Sequence, residues 1–396
     1  MNENKSNKKK LKLEPGEDLS GVDLSNRSLS EIDLNEANLS GANLEGAVLT
    51  GASLLKVNLR GANLIGADLS DVDLTGADLS EANLTGAKLV GATLESAILN
   101  KTNLTKVDLT EANLTEASLI ESDLSDSVLV ETTLTDAILT NVCLDRSKLN
   151  EAELGSANLK FSSFVNAELQ DTNLEGANLA GCDLTDANLQ GANLVNTTLA
   201  RIKGSNINLS ESDLSGANLC EANLTRADIT GAVLSEVTAP GAIFRDAILN
   251  DVEAEQTDFS RTDLTGVSLI GANFESANFT GANFVNAICR EASFNNAEMI
   301  GVSIIKSDFQ DTELSHAILD NSKIENSNFI DADFEGASMN SLEMINCKTE
   351  KEEAEEIKNL NDNASRNNMS EIFNPRCKSA TEEDRKKLLK DFVNEQ

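Results

Sequence analysis

The sequence contains no Trp, no Tyr, one His (His316) and three Pro among 396 residues, and aromatic side chains make up only 3%. So few large aromatic groups leave little material for ordinary globular cores, although the length alone would fill two or three domains. A single His removes His-based catalysis and His-rich metal sites. Basic residues are scarce relative to acids, 32 against 66, giving a formal net charge of −34. Direct nucleic-acid binding is excluded on that count, because phosphate neutralisation needs Lys and Arg. There is no Gly-Lys dipeptide and hence no Walker A loop. No run of 18 apolar residues occurs, so membrane insertion of a spanning helix is excluded. The stretch from Met1 to Pro15 is basic without a following apolar run; no secretory signal is read, and a cytoplasmic location is expected. The six Cys (143, 182, 220, 289, 347 and 377) show neither CxxC nor zinc-ligand spacing, so no disulfide framework or metal is expected.

What is present is a repeat. From Leu19 to Met344 every fifth residue belongs to one series of 66 pentapeptides without insertion or deletion, and 62 of these positions are Leu, Phe, Ile or Met. The exceptions are Gly204, Ala239, Ala254 and Cys289. Two residues earlier the side chain is small: 60 of 66 are Ala, Ser, Thr, Val or Cys. Between them Asp or Asn is commonest, as in Asn43, Asn63, Asp68 and Asp78. Small, polar and large residues pointing in, out and in form a three-residue strand. The remaining two residues make a corner. Of the 23 Gly, 21 fall on the second residue after the large apolar one, where a turn needing φ > 0 would place them and nowhere else. The expected product is an all-β solenoid, whose short strands pair along the axis with the coils above and below.

The unit A(D/N)Lxx, seen in Ala37-Asn38-Leu39-Ser40-Gly41-Ala42-Asn43-Leu44, resembles the pentapeptide-repeat protein family over about five-sixths of the chain. The resemblance implies a quadrilateral parallel β-helix in which four pentapeptides complete a coil. A right-handed winding agrees with the handedness of parallel crossovers. At a stacking distance of ~4.8 Å, about 16 coils would make a rod roughly 80 Å long. Large inward residues change along it: only Phe164 is aromatic before residue 244, whereas nine Phe occupy the position from Phe244 to Phe334.

Three domains are expected. Residues 1–16, with Lys5, Lys8, Lys9, Lys10 and Lys12, read as a basic disordered tail, and 17–347 as the solenoid. Residues 348–396 read as a helical C-terminal segment, with a capping-box spacing at Thr349 and Glu352. Its second helix carries an apolar stripe of Leu388, Leu389, Phe392 and Val393. That stripe suits a cap over the open end or a homodimer contact; the resemblance implies the latter, because gyrase-interacting members are joined through their C-terminal ends. Arg201, Lys203 and Gly204 interrupt the core pattern and predict a bulge or small exposed loop, a candidate binding loop.

Charge supplies the candidate site. Residues 17–347 hold 17 basic and 52 acidic side chains. Read at four pentapeptides per coil, one corner column contains Glu31, Asp71, Glu111, Glu131, Glu151, Asp171, Glu211, Asp251, Glu291, Asp311 and Asp331, with Gly at its other five positions and no basic residue. The opposite corner carries Lys101, Arg201 and Arg261. With no nucleophile beside a base, no metal cluster and no phosphate cradle, the chain reads as a non-enzyme without a cofactor. The expected role is a protein-interaction scaffold whose acidic corner meets a protein with a basic surface. The resemblance implies an alternative, duplex-DNA mimicry toward a type II topoisomerase such as DNA gyrase.

Overall fold

A computed structural model of the chain describes residues 12–349, which fall into two compact units, 12–163 and 164–349. Both are built from the same repeat, and its backbone accounting explains the sequence pattern. In the unit Ala37-Asn38-Leu39-Ser40-Gly41, Asn38 N–H bonds the carbonyl of Glu17 in the preceding coil, at 3.0 Å. Leu39 N–H and Gly41 N–H bond Asn58 O at 2.7 Å and Arg60 O at 2.9 Å in the following coil. Ala37 N–H closes the previous corner onto Leu34 O at 3.0 Å. The fifth donor, Ser40 N–H, has no backbone acceptor and is taken by Asn38 Oδ1 at 3.2 Å. Every donor is thereby satisfied, as a buried or half-buried chain demands. Asp or Asn recurs at the strand centre because its side-chain oxygen reaches the N–H two residues on, which is Asx-turn chemistry.

In five units with Ser or Glu at the strand centre, an Asn or Asp of the preceding coil supplies the acceptor instead. Asn35 Oδ1 takes Leu55 N–H at 2.8 Å, Asn100 takes Ile120 at 2.9 Å, and Asn250 takes Ile270 at 3.0 Å. Asn295 and Asp320 do the same for Ser315 and Asn340, each at 2.9 Å.

Pairing partners are parallel and 20 residues apart throughout each unit, as in Asn43↔Asn63 and Asn63↔Asn83. Four pentapeptides therefore complete one coil. Most strands are single-residue bridges, but one face of the second unit forms a parallel sheet of β1 (Asn283–Val285), β2 (Ser303–Ile305), β3 (Lys323–Glu325) and β4 (Glu343–Ile345). Its register aligns Phe284, Ile304, Ile324 and Met344.

All 67 corner residues from Gly16 to Asn346, one every five, have positive φ; 21 are Gly and 46 are not. The turn that the glycines mark is therefore adopted at every corner, whatever residue stands there. The strain of a left-handed L-residue, roughly 1–2 kcal/mol, is accepted repeatedly because the coil closes only with that turn.

Inside, the Leu, Phe and Ala positions are buried. The Phe of the second unit stack on one another, with ring centroids 5.3 Å apart for Phe244 and Phe259 and 5.0 Å for Phe309 and Phe329. Inward hydroxyls bond main-chain carbonyls, for example Thr132 Oγ1 to Leu109 O at 2.8 Å.

The bulge expected at Arg201, Lys203 and Gly204 is absent. Lys203 keeps both bridges, to Asp183 and Asn223, and Gly204 N–H bonds Asn223 O at 2.7 Å. The reason is an exchange of volume. The flanking small positions hold buried Ile202 and Ile207, and a Cβ on Gly204 would lie 3.0 Å from Leu224 Cδ2 and 3.3 Å from Ile207 Cγ2. Ala239 and Ala254 are similarly preceded by buried Val237 and Val252.

The expected basic tail lies outside the described residues through residue 11, and so does the whole C-terminal stripe of Leu388, Leu389, Phe392 and Val393.

Candidate functional site

The 20-residue pairing period brings the predicted acids into a column within each unit. Glu31, Asp71, Glu111, Glu131 and Glu151 share one corner of the first unit, and Asp171, Glu211, Asp251, Glu291, Asp311 and Asp331 the corresponding corner of the second. All eleven are exposed and all have left-handed φ, between 56° and 60°. Successive positions are one strand spacing apart, ~4.8 Å. Glu111-Glu131-Glu151 and Glu291-Asp311-Asp331 are therefore unbroken acidic ladders. Among the described residues no salt bridge is seen to Glu31, Asp71, Glu111, Glu131, Glu151, Asp171, Asp251 or Glu291, while Glu211 and Asp311 accept hydrogen bonds from Gln190 (3.4 Å) and Gln310 (3.0 Å).

Three of the five glycines in this column have a local cause. The carboxylate of Asp71 overlies Gly91 and that of Asp251 overlies Gly271, so a Cβ there would come within 2.8 Å and 2.6 Å of Oδ1; Asp171 overlies Gly191 in the same way.

Acids elsewhere have work to do. Strand-centre Asp side chains hold turn amides, as Asp78 does for Ser80 and Asp213 for Ser215, both at 2.9 Å. Others neutralise a cation from a neighbouring coil: Arg146 with Asp126 at 2.7 Å, Arg201 with Glu221 at 2.7 Å, and Lys101 with Glu121 at 3.6 Å. Thus Arg201 and Lys203, the latter 3.3 Å from Asp183, are exposed but paired, and they form no loop.

Electrostatics follow these contacts. The hydrogen bond from Arg146 is the main cause that holds Asp126 below the usual carboxylate range. At Asp263 and Asp320 burial pulls upward, but hydrogen bonds from Thr265 and Arg245, and from Asn340 and Ser338, outweigh it and the net direction is down. Burial, aided by the charge of Asp308, pushes the Cys289 thiol well up. Asp308 itself is buried and held by Arg290 at 2.5 Å and Asn328 at 2.8 Å. Among the described residues no group of three or more His, Cys, Asp or Glu is placed to hold a metal ion, and no helix is long and apolar enough to cross a membrane. Cys143 and Cys220 are half-buried, and Cys182, Cys289 and Cys347 are buried.

One residue escaped the sequence reading. Among the described residues Phe161 is the only Phe at a corner, with φ 62° and 64% exposure. Its signal was available: a lone aromatic where all neighbours in the series are polar or Gly.

The family model described as "Pentapeptide repeats (8 copies)" matches in overlapping windows that together cover residues 18–151, 162–201 and 205–341. The chain belongs to the pentapeptide-repeat family. Membership implies a right-handed parallel β-helix, in agreement with the parallel coil-to-coil pairing. Among solved pentapeptide-repeat structures, HetL, involved in heterocyst differentiation regulation in the cyanobacterium Nostoc sp., is 33% identical; the alignment covers 52% of this chain and 88% of HetL, with a TM-score of 0.30. A pentapeptide-repeat protein of the Arabidopsis thaliana thylakoid lumen is 40% identical over 24% of this chain and 68% of its own, with a TM-score of 0.24. QnrB1, a plasmid-mediated fluoroquinolone resistance protein, is 13% identical over 48% of this chain and 98% of its own, with a TM-score of 0.32. No curated protein matches the chain.

Proposed function

We propose that this pentapeptide-repeat protein is a non-catalytic binding protein whose acidic corner columns dock a protein with a basic surface. The observation that carries the reading is the placement of long acids at left-handed corners. Glu111, Glu131 and Glu151 sit at φ 58°, 57° and 59°, where Glu is less favourable than Gly. At this corner they satisfy no backbone donor and neutralise no cation among the described residues. Folding therefore does not ask for these three Glu, whereas it does ask for the strand-centre Asp and Asn. A ladder of like charges one coil apart raises the local negative potential and favours a cationic partner.

The test is affinity capture with the full chain at low and high salt, beside the variant Glu111→Lys, Glu131→Lys, Glu151→Lys. A basic protein retained at low salt, released by salt and lost in the variant is the expected result. Capture unchanged by the triple reversal would leave the column as a solubility device. The narrower reading, mimicry of duplex DNA toward a type II topoisomerase, draws on the linear and cation-free character of each column. It requires that micromolar protein alter supercoiling by purified gyrase and that DNA compete for the complex.

A further inference from the structure

The first coil presents an unpaired strand edge. In later coils of the first unit the strand-centre residue bonds the coil before it through both backbone groups: Asn43 N–H reaches Val22 O at 2.8 Å, and Asn43 O receives Leu24 N–H at 2.8 Å. Asp23, Ser28 and Asp33 hold the equivalent places in the first coil. Among the described residues neither their N–H nor their C=O groups make a backbone bond. The carbonyls of Ser20, Ser25 and Ser30 are also free on this edge, so its acceptors outnumber its donors. An unpaired edge is a template for an added strand. The described chain does not close it: Leu13, 20 residues before Asp33, makes no bridge to it. Side chains at the edge are open as well. Val22 and Ile32 are half-exposed, whereas Ala42 and Ala52 one coil on are buried, and Asp23 and Asp33 are exposed.

We infer that this edge accepts an extended segment of another protein whose side chains run apolar, basic, apolar. The strands Val22-Asp23-Leu24 and Ile32-Asp33-Leu34 set that order. A strand stacked beneath either one, in the parallel geometry of the coils, brings its outer two side chains against the apolar pair and its middle one beside the Asp. The chain makes the same polar contact internally: Lys203 lies one rung from Asp183 and reaches it at 3.3 Å. Residues 14–36 hold seven acids and one base, Arg27, so the potential at this end favours a cationic segment. Charged residues on an edge guard it against pairing with its like. Here the carboxylates turn away a second copy of the same acidic coil and leave a basic strand admissible. Residues 5–10 of the chain itself carry four Lys and no apolar residue, which does not match the required order. The inference is separate from the corner-column reading, since none of these backbone groups belongs to the column.

The experiment adds the peptide acetyl-Val-Lys-Val-Lys-Val-amide, at millimolar concentration, to the full chain and follows amide exchange by NMR. Exchange at Asp23 or Asp33 should slow on the order of tenfold, while Asn43 and Ser53, already bonded to the first coil, should not change. The same peptide with Glu in place of Lys, or N-methylated at alternate residues, should slow neither amide, since the first lacks the charge and the second the backbone donors. Asp23→Asn with Asp33→Asn keeps an acceptor for Ser25 N–H and Asn35 N–H, each at 3.1 Å, and should weaken the effect. Glu111→Lys, Glu131→Lys, Glu151→Lys should leave it intact, which separates this edge from the corner column. Four results would overturn the inference: no slowing with the Lys peptide, equal slowing with the N-methylated one, indifference to the Asn pair, or Asp23 and Asp33 amides already protected in the free chain.

Discussion

A corner residue in this chain faces two demands, a positive φ and a neighbour one coil away, and they can be separated. Gly231 has open space where its Cβ would be, whereas a Cβ on Gly271 would press on the Asp251 carboxylate. Both have φ of +66°. Gly231→Ala should therefore cost about 1 kcal/mol, the left-handed penalty alone, and Gly271→Ala measurably more. Denaturant midpoints of the two variants check this, and Gly271→Ala with Asp251→Ala should fall back to the Gly231→Ala value. Thiols offer a second check at this scale. Burial and Asp308 disfavour the Cys289 thiolate. In the native chain an alkylating reagent should label Cys143 and Cys220 well before Cys182, Cys289 and Cys347, as peptide mass mapping would show. The corner position itself was legible in the sequence through its 21 glycines. That 46 other residues share the conformation was not, because Glu, Lys and Asn at a corner look like any exposed polar residue.

The pentapeptide is the structural element, and its weakest donor is the amide after the large apolar residue. In Asn113-Leu114-Thr115 the Asn113 side chain accepts from Thr115 N–H at 3.0 Å and from its hydroxyl at 2.6 Å. Asn113→Ala should destabilise the coil by about 1 kcal/mol, the size of a lost helix cap, with faster hydrogen exchange at Thr115. One pentapeptide later the rule is displaced: Ile120 N–H depends on Asn100, not on Ser118. Exchange at Ile120 should accelerate in Asn100→Ala and hold in Ser118→Ala. The same logic says why the fold was readable and its defects were not. A period of five with fixed polarity specifies strand, corner and core, since one register error would turn every Leu outward. Ile202 and Ile207 filling the space over Gly204 is a compensation between positions, invisible when each column is scored separately. The division at Ser163 and Phe164 had no sequence signal either, because the register runs through it unchanged.

At the scale of the whole molecule, the acids among the described residues divide into those that hold the backbone and those that do not, a distinction absent from the net charge of −34. The column was legible because counting in steps of four pentapeptides collects it. What counting could not show is that Asp183, Asp263 and Asp320 are engaged by hydrogen bonds that keep their carboxyls below the ordinary value, despite burial acting the other way. A carboxyl depressed in the folded state lends stability that is complete above its unfolded pKa, near 3.9, and that disappears as pH falls through the lower folded value. These groups predict acid unfolding that begins below about pH 4. The corner columns act in the opposite sense near neutrality, because like charges one coil apart repel and salt screens them over about 10 Å at 0.1 M. Thermal midpoints at pH 7 should therefore rise as NaCl is added from low ionic strength. In Glu111→Lys, Glu131→Lys, Glu151→Lys a row of three cations replaces three anions, and much of the salt dependence should remain. Alternating the sign with Glu131→Lys alone should diminish it and raise the low-salt midpoint. A midpoint insensitive to both salt and Glu131→Lys would mean that the ladder stores no repulsion, and a basic partner would then gain nothing by relieving it.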